Sequence, residues 1–142
     1  PLGGVGLAYT DLVNPRGLLR RTVKSMELID TEPEDRLLAV QLYGHEPELM
    51  ADAAKWCVDH MDLAAIDINM GCPVSKVVKA GGGAVLMRDP ARAEEIVRAC
   101  VAAVSIPVTV KIRAVHACEF CFAAYGNAAA SAHSGAVNHY GV

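Results

Sequence analysis

Large aromatic rings are scarce in this chain, which has two Phe, four Tyr and one Trp in 142 residues. A core without rings must be built from Ala, Val, Leu and Ile. That is the composition of helices laid on a buried parallel sheet. Positive charge is not in excess either, since the formal net charge is -3. A whole-surface electrostatic grip on nucleic acid is therefore not indicated, and any such contact would rest on local basic patches. No continuous apolar run reaches the length of a bilayer span. The first residues lack the basic, apolar and small-residue order of a secretory signal. Five cysteines, an odd number in irregular spacing, do not read as a secreted disulfide framework. A reducing, cytoplasmic compartment and no membrane partner are the expectation. The length suits one domain with a modest core and is too short for a complete (β/α)₈ barrel, which needs about 250 residues.

Short apolar runs alternate with helical patterns, as in a parallel α/β sheet. Strands are predicted near Gly6–Val13, Leu37–Tyr43, Ala64–Met70 and Val108–Arg113. Between the last two, Ala93, Ile96, Val97, Cys100, Val101 and Val104 form a stripe of helical period. Asp89 is placed to cap that helix and Pro90 suits its first turn. Leu49, Met50, Ala53, Ala54, Cys57 and Met61 make a second stripe after Pro47, and a third, weaker helix is predicted around Arg16–Ile29. Cys57 and Cys100 fall on these stripes and read as core. From Ala114 to Val142 the chain is rich in Ala, Ser, Gly, His and Asn and shows neither alternation nor a helical stripe. Regular packing is not expected there.

Side chains alternate faces along a strand. Val40, Leu42, Ile66, Ile68, Met70, Val108, Val110 and Ile112 would therefore face the helices. Gln41, Asp67, Asn69, Lys111 and Arg113 would share the opposite side. Buried charges are costly unless paired or bound to a ligand, so polar residues near the carboxyl ends of neighbouring parallel strands suggest a ligand site. Internal salt bridges, Asp67 with Lys111 for instance, are the alternative.

Strand three ends in Asn69-Met70-Gly71-Cys72-Pro73. A turn of this kind sets a thiol at a fixed point on a loop. The other reading of Cys72 is an inert buried thiol. Lys76, Lys79 and Gly81 to Gly83 follow as a basic, glycine-rich loop. It would guide a phosphate backbone or simply be solvated, and GxGxxG spacing is absent. Arg16, Arg20, Arg21 and Lys24 form another basic cluster, read as an RNA-facing edge or as the polar face of a helix. Cys118-Glu119-Phe120-Cys121, with His116, His133 and His139, is a weak case for zinc, and no metal site is expected.

The segments DINMGCPVSKVVK and GGGA, with GLAYTDLVNPRGLLR and LLAVQLYG before them and IPVTVKIR after, resemble the tRNA-dihydrouridine synthases. The likeness covers residues 4–113. It implies part of a TIM barrel, about four parallel β/α units forming the FMN and catalytic domain, followed by an atypical tail at 114–142. It further implies FMN as cofactor, NADPH as electron donor, and reduction of uridine to 5,6-dihydrouridine in tRNA. Cys72 would be the acid that protonates the base. Gln41 and Lys111 would touch the flavin. Asn69 and Arg113 would hold the uracil ring, with Lys76 and Lys79 toward the RNA. A dihydroorotate- or dihydropyrimidine-type FMN dehydrogenase shares an Asn-x-x-Cys-Pro-like turn and stands as the alternative. So does a non-catalytic barrel fragment, since an open half-barrel exposes sheet edges. Taken alone, such a chain is expected to hold FMN weakly or not at all.

Overall fold

The computed structural model of the chain describes residues 6–32 and 37–113. Four strands form one sheet: β1 (Ala8–Tyr9), β2 (Leu38–Leu42), β3 (Ala65–Met70) and β4 (Val108–Ile112). All pairings are parallel and the spatial order is β1-β2-β3-β4. Parallel neighbours cannot be joined by a hairpin, so each connection carries helix. Helices α1 (Pro15–Leu19) and α2 (Val23–Glu27) lie between β1 and β2. Helix α3 (Pro47–His60) joins β2 to β3. Helix α4 (Ser75–Lys79), a 3₁₀ segment (Gly83–Arg88) and α5 (Pro90–Ala103) join β3 to β4.

Strand order decides the architecture. In a doubly wound sheet the order reverses at a switch point. Here it never reverses, and crossovers of one hand then put every helix on the same side. The sheet is an arc of a (β/α) barrel, as the sequence predicts. Consistent with this, α3 packs against both α1 and α5 in one layer.

The core lies between that layer and one face of the sheet. Val40, Leu42, Ile66, Ile68 and Met70 meet Met50, Ala53, Ala54 and Cys57 of α3 and Ala93, Ile96, Val97 and Cys100 of α5. Each fully buried aliphatic side chain contributes about 1.5–3 kcal/mol, so packing of the two long helices on the sheet is a large stabilising contribution. Local signals start them. Pro47 and Pro90 occupy the first turns, and the Asp89 carboxylate accepts from the Arg92 amide at 3.0 Å.

Three local expectations need correction. The single helix around Arg16–Ile29 is broken into α1 and α2. Arg21 takes a left-handed φ of 52°, and Asn14 and Thr22 each cap a separate start, accepting from the Gly17 and Ser25 amides. Two caps eight residues apart leave room for only short helices. The basic loop after Cys72 is in fact helix α4, so Lys76 and Lys79 project from a helical turn. The predicted strand one also shortens to Ala8–Tyr9, with an isolated bridge further on between Val13 and Leu42.

The triple glycine serves the fold. Gly82 lies so close to the Gly44 backbone that a Cβ would come within 2.9 Å of its nitrogen. Gly83 has φ of 64°, and its Cβ would meet the Cys72 carbonyl oxygen at 2.5 Å. The seam thus joins the loops leaving β2 and β3 backbone to backbone. Gly83→Ala combines left-handed strain with a clash against main chain that cannot swing away. It is expected to cost about 2 kcal/mol or more, read as a lowered urea midpoint. An unchanged midpoint would show that the seam does not constrain the fold.

Candidate active site

Register brings the polar residues together. Across the sheet Gln41 stands beside Asp67, and Asp67 beside Thr109, while Asn69 stands beside Lys111 in the next polar row. All have the parity opposite to the core residues. Gln41, Asp67 and Asn69 are buried, at 8%, 2% and 1% exposure, so each must find partners within the protein.

They find one another. Gln41 Nε2 donates to Asp67 Oδ2 at 2.5 Å and Thr109 Oγ1 donates to Asp67 Oδ1 at 2.6 Å. Asn69 Nδ2 donates to Gln41 Oε1 at 2.9 Å. Asn69 Oδ1 accepts from the backbone amides of Gly71 at 3.2 Å and Cys72 at 2.9 Å. The Gly71 carbonyl accepts from Arg113 Nε at 3.0 Å. The Cys72 carbonyl accepts from the Ala84 amide at 2.9 Å. The thiol-bearing residue is therefore held at both its N–H and its C=O.

Burial pushes the Asp67 carboxyl above its ordinary value. Hydrogen bonds from Thr109 and Gln41 and the charge of Lys111 pull against that rise without cancelling it. The Asp67–Lys111 salt bridge considered from the sequence is not what satisfies Asp67. Neutral donors do so, and Lys111 itself is exposed. Thr109 is the residue sequence reasoning missed, although its parity with Lys111 on β4 was the available signal.

The other predicted residues fall as follows. Cys72 is free and partly exposed, whereas Cys57 and Cys100 are free and buried. Burial pushes both of those thiols up to about 12. Lys76 and Lys79 are exposed beyond the turn and pair with no acidic side chain among the described residues. The Arg16–Lys24 cluster is partly spent on the protein itself. Arg16 pairs with Glu46 at 2.6 Å and Arg21 lies 5.9 Å over the Trp56 ring. A cleft of about 200 Å³ beside that Arg16–Glu46 pair is lined by Asn14, Tyr43 and His45 among others, and by none of the buried polar network. The Cys118-x-x-Cys121 pair and His116, His133 and His139 lie outside the described residues. Among the described residues no group of three metal-ligating side chains occurs, and no helix is long and apolar enough to cross a membrane.

Known proteins share this arrangement of segments. Residues 2–135 match the family described as "Dihydrouridine synthase (Dus)". The chain belongs to the dihydrouridine synthase family. It is 41% identical over 111 residues to a probable tRNA-dihydrouridine synthase of Treponema pallidum, covering 75% of this chain and 33% of that protein. It is 43% identical over 109 residues to a probable tRNA-dihydrouridine synthase 1 of Synechocystis, covering 75% and 30%. With tRNA-dihydrouridine synthase B of Vibrio parahaemolyticus it shares 42% over 110 residues, covering 78% and 34%. The chain thus spans about a third of the length of the curated relatives it matches. The family match runs to residue 135, past Arg113, where the motif resemblance ended.

Two outcomes are expected. In the folded chain, a thiol reagent should modify Cys72 while Cys57 and Cys100 stay unmodified, as mapped by mass spectrometry. Comparable labelling of all three would contradict the packing. The raised Asp67 value also fixes a sign. Its favourable contribution is complete below the unfolded-chain pKa and is lost as pH rises through the higher folded value. Asp67→Asn, a neutral isostere, removes that dependence. On acidification from neutral pH the native chain should therefore gain stability relative to Asp67→Asn in paired denaturant titrations. A constant or opposite difference would mean that desolvation does not dominate at Asp67.

Proposed function

We propose that this chain forms part of an enzyme that reduces uridine to 5,6-dihydrouridine in tRNA, with FMN as cofactor, NADPH as electron donor and Cys72 as the proton donor. The observation that carries the reading is the turn after β3. A partly exposed thiol stands there, its backbone fixed on both sides, next to a buried polar row at the carboxyl ends of parallel strands. Barrel enzymes hold their chemistry at that end.

The donor set suits a flavin. Gln41 keeps one amide N–H and one lone pair beyond those its neighbours use. Lys111 brings an exposed ammonium to the same face, a charge that favours an anionic reduced ring. These two residues would hold the isoalloxazine. When bound, reduced FMN supplies the hydride that saturates carbon 6 of the uracil.

The remaining chemistry belongs to the protein. Cys72 delivers its proton to carbon 5 as the double bond is lost, and the resulting thiolate is reprotonated from solvent, to which the residue is open. An ordinary thiol, with a pKa of about 8.5, is mostly protonated at neutral pH and so serves as a general acid. Asn69 and Arg113 would hold the base. Both are already committed in part, Arg113 Nε to the Gly71 carbonyl and the Asn69 oxygen to the turn amides. The exposed Lys76 and Lys79 suit phosphates of the RNA backbone. Cytoplasmic tRNA is the substrate pool that fits a chain with free thiols.

The test is a chimera in which residues 6–113 replace the matching segment of the Vibrio parahaemolyticus relative. It should carry flavin and form dihydrouridine in tRNA. Cys72→Ala in that chimera should keep the flavin and slow turnover by about 10²–10⁴-fold. Undiminished turnover would remove Cys72 from the acid role, and turnover of free dihydroorotate in place of tRNA would favour the other class of flavin barrel.

A further inference from the structure

We infer that Asp67, acting through Gln41 and Asn69, is a positioning residue for the Cys72 turn, and that this relay leaves Asn69 only a donor to offer the base. The inference rests on the reading of Cys72 as proton donor and adds to it what holds the donor in place.

The two ends of the relay have no choice of polarity. A carboxylate only accepts, and a backbone amide only donates. Between them lie two primary amides, each of which has two orientations in principle. Asp67 takes the NH₂ of Gln41, and that turns Gln41 Oε1 toward Asn69. Asn69 must then present its NH₂ to Gln41 and its oxygen to the amides of Gly71 and Cys72. Reasoning back from the turn gives the same orientations. Reversing either amide would set donor against donor or acceptor against acceptor at its contacts. Burial of all three side chains keeps water from repairing the mismatch.

The consequence for recognition is specific. Asn69 Oδ1 already accepts two hydrogen bonds, and a carbonyl oxygen has two lone pairs. Only the second N–H of Nδ2 remains free. Asn69 can therefore read a carbonyl oxygen of the base, while the base's own ring N–H must find its acceptor elsewhere. Asn69 would then hold the ring through its donor alone.

The test follows backbone amide exchange at Gly71 and Cys72 by NMR in the 142-residue chain, with neither flavin nor RNA present. Gln41→Met does not touch the turn but frees the Asn69 amide. It should speed exchange at both amides by about tenfold and alter the pH profile of Cys72 alkylation. Thr109→Val also strips a hydrogen bond from Asp67, yet leaves the relay intact and should not speed exchange there. Asn69→Ala, which removes the acceptor of the turn amides, should lose the protection as well. Unchanged exchange in Gln41→Met, or equal acceleration in Thr109→Val, would overturn the relay. If Gln41→Met does not fold, unchanged exchange at Gly71 and Cys72 in Asn69→Ala overturns it instead. Because these readouts need no turnover, their failure is distinguishable from failure of the chimera to reduce uridine.

Discussion

The parallel register of β2, β3 and β4 is the constraint on which the rest depends. It sets Gln41, Asp67 and Thr109 in one row and Asn69 beside Lys111 in the next. Once buried, those groups are costly unless they pair, and the row spacing lets them pair with one another. A slip of one residue on any strand would turn the polar set into the apolar layer. It would strand Asp67 among Met50, Cys57 and Ile96 with no donor in reach. Core packing and the polar row therefore enforce the same register from opposite faces of the sheet.

The turn after β3 is built on that register. Its amides hang from Asn69, its Gly71 carbonyl is tied to Arg113, and its Cys72 carbonyl is tied to Ala84. Behind it, Gly82 and Gly83 close against Gly44 and Cys72 with no room for a side chain. These contacts draw on the loops leaving β2 and β3 and on the end of β4. For the role proposed for Cys72, delivery of a proton to one atom, such fastening matters, since positioning errors of about 1 Å can cost 10²-fold in rate. The glycines, which in isolation suggest a ligand cradle, here give up their side chains so that protein backbone can meet protein backbone.

Membership of the dihydrouridine synthase family and the geometry support one another without being the same finding. The family match covers nearly the whole chain, while the described sheet supplies an arc of barrel whose polar face is the inner one. The residues that the resemblance marks, Gln41, Asn69, Cys72, Lys111 and Arg113, lie on three adjacent strands or just beyond them. What the resemblance does not mark, Asp67 and Thr109, supplies the acceptor and the second donor that orient the marked ones. The basic residues divide in a similar way. Lys76 and Lys79 stay exposed, while Arg16 and Arg21 are engaged by Glu46 and Trp56.

The sequence by itself determined the elements and their faces. Alternation along short apolar runs and the stripes of Ala93–Val104 and Leu49–Met61 are local patterns, and they dictate which side of each strand or helix meets the core. Asp89 and Pro90 likewise announce a helix start that needs no tertiary contact. Tertiary structure alone decided what the polar residues do. Whether Asp67 meets Lys111 or Thr109, whether the oxygen of Asn69 faces a ligand or the turn, and what lies against Gly83 all depend on groups far apart in the chain. Hydrogen bonds are short and directional, so their partners are set by register and loop closure. Even the break between α1 and α2 needed geometry, because caps at Asn14 and Thr22 and the left-handed Arg21 outweigh a weak helical period.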